Sequence, residues 1–166
     1  MTTERHDEKT VIRPATHADM KAVGRLGALL VRIHHEFDPH RFIAATPRTE
    51  KGYGAYLDSQ LDDPAVVMLV AEREGEVVGY TYAGVEAFDY MALRGPAGVL
   101  YDIVIDPDQR GHGIGNLLIE STIAELQARG APRVVLSTAE RNESAQRLFA
   151  RMGFRRTMIE MTRELP

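Results

Sequence analysis

The sequence predicts a mixed α/β domain, and three observations carry this prediction. Apolar runs rich in β-branched residues alternate with longer stretches of helical periodicity, in the order β-α-α-β-β-β-α-β-α-β. The chain has 166 residues, enough for one domain with a substantial core. Its composition, 44% hydrophobic and 27% charged, is typical of a globular protein. We therefore expect a polar, disordered tail over residues 1–10 and a single domain over residues 11–166.

The composition also limits the function. The chain contains no cysteine, which excludes disulfides, thiolate metal sites and cysteine nucleophiles. A net charge of −4 argues against general nucleic-acid binding, which needs a basic surface. The first residues lack the apolar core of a signal peptide, and no apolar run reaches membrane-spanning length. These features predict a cytoplasmic protein that acts on neither nucleic acid nor membrane.

The first half of the chain predicts two helices followed by a hairpin. Thr16 and Asp19 have the spacing of a capping box and precede a helical pattern that ends at about His34. Gly79 and Gly84 indicate a bulge or a close approach in the second hairpin strand. The predicted elements are a short strand over 11–14, the helix ending at about 34, a helix over 49–61, hairpin strands over 66–72 and 77–85, and a loop over 86–97.

A histidine-rich stretch follows the first helix. Residues 34–42, H-H-E-F-D-P-H-R-F, contain three histidines and two carboxylates. They could form a metal or substrate site, or a solvated helix end whose cations complement the helix dipole. His34 and His35 are adjacent and so face different directions on a helix, which argues against chelation. We therefore predict no metal and leave a role in substrate recognition open.

The most informative stretch is residues 99–116, V-L-Y-D-I-V-I-D-P-D-Q-R-G-H-G-I-G-N. Its apolar beginning predicts a buried strand, Pro107 ends that strand, and a helical pattern begins at Ile114. The intervening glycines allow an anion to approach the free amides at the helix start, where the helix dipole also attracts it. Arg110 adds a charge whose planar guanidinium suits phosphate oxygens. The stretch therefore predicts a phosphate site, with a diphosphate as the best fit.

Two known glycine loops do not match this stretch. A Walker A loop ends in Gly-Lys-Ser/Thr, which the stretch lacks. A dinucleotide fingerprint read from Gly111 would need a glycine where Asn116 stands. A third pattern does match: residues 110–115, R-G-H-G-I-G, resemble the R/Q-x-x-G-x-G loop that binds the coenzyme A pyrophosphate in the GNAT superfamily of N-acetyltransferases.

A second segment resembles the same family. Residues 142–154, N-E-S-A-Q-R-L-F-A-R-M-G-F, carry Asn-x-x-Ala, an aromatic residue four positions after the alanine, and Gly-Phe. Asn142 can cap this last helix, and Gly153 suits its C-terminal end. We expect a strand over 134–138 before it and a final strand over 157–163 after it. The resemblance extends over nearly the whole chain.

This resemblance implies a fold, a cosubstrate and a set of binding residues. The fold is a central mixed sheet of about six to seven strands flanked by about four helices, with the first helices and their linker walling the acceptor pocket. The cosubstrate is acetyl-CoA, without a metal, and the acceptor is a primary amine on a small molecule or peptide; family members are often homodimers. The residues expected to bind the cofactor are Ile103, Val104 and Ile105 on the strand, Arg110, Gly111, His112, Gly113, Ile114, Gly115 and Asn116 on the loop, and Asn142 and Phe149 on the last helix.

Two neighbouring residues of the central strand are the catalytic candidates. The amine must lose a proton, since a lysine-type amine has a pKa near ~10.4 and is mostly protonated at neutral pH. Strand alternation predicts that Tyr101 and Asp102 face opposite sides, and Asp102 is either the base or a hydrogen-bonded structural carboxylate. Some sugar-phosphate acetyltransferases of the family carry an acidic pair at these two positions. The match is partial because the first of the two is a tyrosine here. Phe149 stands where many members have a proton-donating tyrosine, which leaves Tyr101 or a water to protonate the thiolate.

Two alternatives to acetyl transfer stay open. An acyl-CoA sensor could keep the loop and lack the acid, as Phe149 suggests. A wider pocket near Tyr80, Tyr82 and Phe149 would instead allow transfer of a longer acyl group. The sequence does not name the acceptor, but acidic residues in the expected pocket segments favour a cationic one. These residues are Glu36, Asp38 and Glu86.

Overall fold

The computed structural model describes residues 9–166, which form a five-stranded mixed sheet between helices. The strands are β1 (Val11–Pro14), β2 (Val66–Arg73), β3 (Glu76–Glu86), β4 (Ala97–Ile105) and β5 (Val134–Leu136). The helices are α1 (Met20–Phe37), α2 (Thr49–Asp58), α3 (Ile114–Ala128) and α4 (Glu143–Arg151), with short 3₁₀ turns at His17–Asp19 and Pro107–Gln109. This arrangement confirms the predicted α/β class and its four helices.

The strands lie side by side in chain order. Neighbouring strands are antiparallel from β1 to β4, whereas β4 and β5 are parallel because α3 crosses over between them. Helices α1 and α2 cover one face of the sheet, and α3 and α4 cover the other. Each face has its own core, with Leu26 and Tyr80 fully buried on the first and Leu118 and Leu126 fully buried on the second.

Two glycines bring the backbones of α1 and α2 into contact. A Cβ atom on Gly24 would lie 2.4 Å from the carbonyl oxygen of Glu50. A Cβ atom on Gly54 would lie 2.7 Å from the carbonyl oxygen of Met20. Any larger residue at these positions would push the helices apart. The close contact fixes the position of α2 over the sheet.

The predicted capping box at Thr16 and Asp19 is confirmed, and an ion pair reinforces it. Asp19 accepts hydrogen bonds from the backbone N–H and the hydroxyl of Thr16. The guanidinium of Arg13 on β1 lies 2.8 Å from the same carboxylate and 2.8 Å from Glu72 on β2. The Arg13 guanidinium lowers the pKa of Asp19 to about 2. These contacts tie the first strand to the start of α1.

The Asp19→Asn variant is expected to be destabilised by about 1–2 kcal/mol at neutral pH. Because the folded-state pKa lies below the unfolded value of about 3.9, the carboxylate stabilises the fold above pH ~4, and this contribution is lost as the pH falls towards 2. Urea unfolding should therefore show a gap in unfolding free energy between the two proteins at pH 7 that narrows below pH ~4. A gap independent of pH would contradict an electrostatic origin.

The predicted final strand over 157–163 is wrong. This segment has no regular structure, and Ile159 and Met161 are largely exposed. Alternating polar and apolar residues form a strand only where a neighbouring strand supplies hydrogen bonds and one face is buried. No described strand pairs with the segment, which instead contacts the α1–α2 linker through an ion pair between Arg41 and Glu160. The sheet therefore has five strands among the described residues, fewer than the six to seven expected.

Other differences from the prediction are small. Helix α1 continues past residue 34 and ends at Phe37. It ends there because Asp38 precedes Pro39, and a residue before proline is disfavoured in a helix. Gly79 marks a close approach, as expected, since a Cβ there would lie 2.9 Å from the carbonyl oxygen of Val104.

A disordered tail is expected over residues 1–10, and residues 1–8 of it lie outside the described residues. From residue 9 onward, none of the helices combines the length and apolar character needed to cross a membrane.

Candidate active site

The sheet opens between β4 and β5. The parallel pairing joins residues 98–100 to residues 134–136, whereas β4 continues to Ile105 with β3 as its only partner among the described strands. Strand β5 ends two residues earlier than predicted. Along the second half of β4, the edge that faced β5 therefore presents backbone N–H and C=O groups that need partners.

The predicted strand, glycine loop and helix are confirmed at the end of β4. A turn capped by the side chain of Asp106 follows the strand, and α3 begins at Ile114. Gly111 and Gly113 have φ angles of 83° and 72°, in the left-handed region that favours glycine. A Cβ atom at either position would meet nothing within 4 Å. The glycines thus shape the backbone while leaving the space before the α3 N-terminus open.

The other loop residues divide into exposed and packed ones. Arg110, His112 and Asn116 are exposed, whereas Ile114 is buried and anchors the helix start. A Cβ on Gly115 would lie within 3.1–3.2 Å of side chains on β4 and α4, so this glycine allows the three elements to pack closely. The loop therefore rests on closely packed residues, and the first amides of α3 have no partner within the helix.

A cavity of about 280 Å³ occupies the gap in the sheet. It brings together five of the predicted site residues, but the glycine loop, Val104 and Ile105 are not part of its lining. The loop instead lies beyond the end of β4, past the cavity. The predicted residues that line the cavity are Tyr101, Asp102, Ile103, Asn142 and Phe149.

Tyr101 lies in a β-bulge, which turns it to the same side as Asp102. Tyr82 on β3 pairs with Asp102, while the next residue, Ala83, pairs with Leu100, so Tyr101 is the extra residue on β4. The prediction that alternation places Tyr101 and Asp102 on opposite faces is therefore wrong. Both line the cavity, and the Tyr101 ring lies 4.9 Å from the Tyr82 ring, centroid to centroid.

The Asp102 carboxylate is held by two tyrosines. Its Oδ2 accepts a hydrogen bond of 2.6 Å from the hydroxyl of Tyr53 on α2 and one of 2.9 Å from the hydroxyl of Tyr80 on β3. Burial raises the pKa of Asp102, and the two tyrosine hydroxyls only partly oppose this shift. Both hydrogen bonds reach the same oxygen, so Asp102 presents a fixed, half-buried carboxylate whose tendency to take a proton is increased.

Gly27 on α1 makes room for Tyr53. A Cβ at position 27 would lie 2.2 Å from Cδ1 of the Tyr53 ring, which is closer than two such atoms can approach. The ring therefore packs directly on the α1 backbone, and this contact directs its hydroxyl to Asp102. The sequence predicted the helix that carries Tyr53, over residues 49–61, but contained no signal linking Tyr53 to Asp102. The pattern of glycines at positions 24 and 27 was the available signal for a tight helix contact.

Tyr101 is part of a separate hydrogen-bond chain. Its hydroxyl donates to Glu86 at 2.6 Å, and Arg94 pairs with the other oxygen of Glu86. Burial and the Glu86 carboxylate raise the pKa of Tyr101, so its hydroxyl stays protonated at neutral pH. The missing side chain of Gly84 leaves space for the ring, whose Cε2 would lie 3.4 Å from a Cβ there.

Asn142 and Phe149 lie on the α4 side of the cavity. The Asn142 side chain accepts a hydrogen bond of 3.2 Å from the N–H of Ala145, which confirms its predicted role as a helix cap. Phe149 is buried and makes an edge contact with Phe154. Phe149 offers no ionisable group, so the proton donors at this cavity come from other elements.

The histidine-rich stretch contributes two side chains to the cavity, His34 and Phe42. His34 lines it from α1, and because a carbonyl only accepts, its Nδ1 donates to the Leu30 carbonyl at 2.9 Å. His35 bonds instead to the Phe42 carbonyl. Among residues 9–166, no group of three or more histidine, aspartate or glutamate side chains is placed to hold a metal ion.

The domain combines two features: a sheet that opens between β4 and β5, and a glycine loop at the start of α3 where an anion can bind. The model of the acetyltransferase (GNAT) family matches residues 30–154. The chain therefore belongs to the GNAT family of acetyltransferases, and the resemblance found in its sequence is confirmed.

Two relatives are mycothiol acetyltransferases. The chain is 37% identical over 99 residues to the protein from Thermobispora bispora and 33% identical over 104 residues to the protein from Thermomonospora curvata. These matches cover 60% and 63% of this chain but 33% and 32% of the relatives. The chain thus spans about a third of the length of the curated relatives it matches.

Solved structures share the fold over nearly the whole chain. A mutant of the BH1408 protein from Bacillus halodurans has a TM-score of 0.76 at 22% identity, covering 94% of this chain and 98% of that one. An aminoglycoside N-acetyltransferase in complex with CoA has a TM-score of 0.75 at 16% identity, covering 99% of both chains. At such identities the likeness shows the fold alone.

Proposed function

We propose that the chain is an N-acetyltransferase that moves an acetyl group from acetyl-CoA to a primary amine. The observation that carries this proposal is the gap beside β4, which ends at the glycine loop and contains the fixed carboxylate of Asp102. The names of the relatives and the CoA-bound structural neighbour support the same chemistry.

The glycine loop fits the diphosphate of CoA. A ligand can approach the backbone of Gly111 and Gly113 because a Cβ at either position would project into open space. The free amides at the start of α3 and the helix dipole favour an anion there, and Arg110 supplies a positive charge beside them. We assign the diphosphate to residues 110–116.

The open edge of β4 fits the pantetheine arm. This arm carries two amide groups, which can exchange hydrogen bonds with a strand edge as a further strand would. Residues 103–105 are paired with β3 on one side and with no described strand on the other. Asn142 and Phe149 bound the same gap from α4. Bound acetyl-CoA would supply the thioester as the acyl donor.

The transfer step requires two proton movements. The acceptor reaches the site as an ammonium ion, and we assign removal of its first proton to Asp102, whose raised pKa suits a general base. The free amine then attacks the thioester carbonyl carbon; the C–N bond forms, the C–S bond breaks, and the nitrogen releases its second proton to water, which balances the proton that the thiolate takes up. The products are an amide and the CoA thiol. Tyr101, which carries its proton at neutral pH, or a water delivers the proton to sulfur.

A thiol-release assay over a panel of amines tests this function. We expect stoichiometric free CoA and an acetylated amine, identified by mass spectrometry. Tight binding of acetyl-CoA without turnover on any amine would overturn the enzyme assignment in favour of a sensor. Faster turnover with a longer acyl-CoA would show that the enzyme transfers that longer acyl group rather than acetyl.

Gly27→Ala should lower turnover by about tenfold or more, because the new methyl group displaces Tyr53 and with it the hydrogen bond that fixes Asp102. Overpacking should also cost about 1–3 kcal/mol of stability. Gly52→Ala on α2 is the matched control, since a Cβ there meets nothing within 4 Å, and we expect it to keep full activity. Equal turnover in both variants would show that Tyr53 does not position the base.

A further inference from the structure

A second cavity lies on the α2 side of Asp102. It has a volume of about 380 Å³ and shares Tyr101 and Asp102 with the cavity in the gap. The two cavities therefore meet at the same carboxylate from different directions. The remaining lining residues are Tyr53, Tyr56 and Leu57 on α2, and Tyr82 on β3.

Four tyrosines form most of the wall of this second cavity. Burial and the hydroxyl of Tyr56 raise the pKa of Tyr82 to about 12, and burial also raises the pKa of Tyr53 and Tyr101. These phenols are therefore neutral at physiological pH, and the faces of tyrosine rings are electron-rich. Tyr56 is 56% exposed and Tyr101 is 42% exposed, so these two rings remain accessible from solvent.

The charge at the cavity is negative. Among the described lining residues, Asp102 is the only one with an acidic or basic side chain, and no lining residue is a lysine, arginine or histidine. Glu86 binds the hydroxyl of Tyr101, and its charge is balanced by Arg94. A cation is attracted both by the Asp102 carboxylate and by the faces of tyrosine rings, whereas an anion is repelled.

We propose that this second cavity receives the acceptor, and that the acceptor is an aliphatic ammonium compound without a carboxylate near its amine. The inference rests on the proposed acetyl transfer and names its substrate class. The ring of Tyr56 holds the cation at the cavity mouth, and Asp102 receives the ammonium proton at its inner end. The thioester reaches the same carboxylate from the gap beside β4, so the two substrates enter by different routes.

Three amines of equal chain length test the charge preference with the 166-residue chain and acetyl-CoA. The probes are n-butylamine, 1,4-diaminobutane and 4-aminobutanoate. We expect kcat/KM for 4-aminobutanoate to be at least about tenfold below the values for the other two, because its carboxylate enters a negative cavity. Comparable values for all three would overturn the proposed substrate class.

Two variants of Tyr56 test the ring. Tyr56→Leu should raise the KM for butylamine about fivefold or more, with kcat and the KM for acetyl-CoA changed less than about twofold. Tyr56→Phe keeps the ring and removes the hydroxyl, so it should raise the KM for butylamine at least about threefold less than Tyr56→Leu does. Equal KM values for butylamine in the two variants would show that the ring does not hold the acceptor.

Failure of the inference and failure of the proposed function are distinguishable. If no amine is acetylated, the proposed function is wrong, and calorimetric titration of the protein with butylammonium chloride then tests the cavity directly. Binding that weakens in Tyr56→Leu but not in Tyr56→Phe would still support the cavity as a cation site. Binding unaffected by either variant would overturn it.

Discussion

Gly113→Glu should weaken CoA binding by about 100-fold or more. The new carboxylate would stand at the N-terminus of α3, where it occupies the amides assigned to the diphosphate and repels the incoming phosphates. Position 113 has a φ angle of 72°, so any side chain also adds about 1–2 kcal/mol of backbone strain. Calorimetric titration of CoA into the variant measures the loss.

Gly130→Glu is the matched control for this experiment. Gly130 lies just after the C-terminal end of α3, with a φ angle of 86° and nothing within 4 Å of its Cβ direction. The control therefore introduces the same side chain and a similar strain on the same helix, away from the loop. We expect it to bind CoA like the wild type while losing similar thermal stability. Equal loss of binding in both variants would mean that strain, and not the anion site, is responsible.

Asp102→Asn should lower turnover by about 10²–10⁴-fold, the usual contribution of a general base. The amide keeps an oxygen that can accept from Tyr53 and Tyr80 but cannot take the proton of the ammonium ion. The affinity for acetyl-CoA should be unchanged, so the loss should appear in kcat. Activity close to that of the wild type would identify Asp102 as a structural carboxylate.

The stability of the Asp102→Asn variant separates the two roles further. Because burial raises the folded-state pKa of Asp102, the fold is most stable with this group protonated and loses stability as the pH rises through that pKa. Asparagine removes this penalty, so at pH 7 the variant should be as stable as the wild type or more so. In the wild type, kcat should rise with pH as Asp102 loses its proton. Chemical denaturation and a pH–rate profile check both expectations.

The features that the sequence predicted correctly are determined by residue types that lie close together in the chain. The glycine loop combines a proline stop, glycines and a helical pattern within eighteen residues, and its backbone conformation follows from those residue types. Asn142 and the capping box of the 3₁₀ turn before α1 were equally local, since a cap acts within three residues. For the same reason, family membership could be inferred from two short segments.

The errors concern features that depend on distant partners. The bulge at Tyr101 arises from the register between β3 and β4, and no residue of β4 encodes it alone. The Tyr53–Asp102 contact joins residues 49 positions apart through a gap that Gly27 leaves on a third element. The final segment has the alternation of a strand but finds no partner among the described strands. In each case contacts with residues far away in the sequence determined the structure, and the local sequence pattern did not contain them.

Calorimetric titration of the wild-type protein with acetyl-CoA and with S-acetylpantetheine tests the central claim most directly. The two ligands share the thioester and the pantetheine amides, and they differ in the nucleotide and its phosphates. If the α3 N-terminus binds the diphosphate, acetyl-CoA should bind at one site per chain and at least about 100-fold more tightly than S-acetylpantetheine. No heat with saturating acetyl-CoA, or equal affinities for the two ligands, would contradict it.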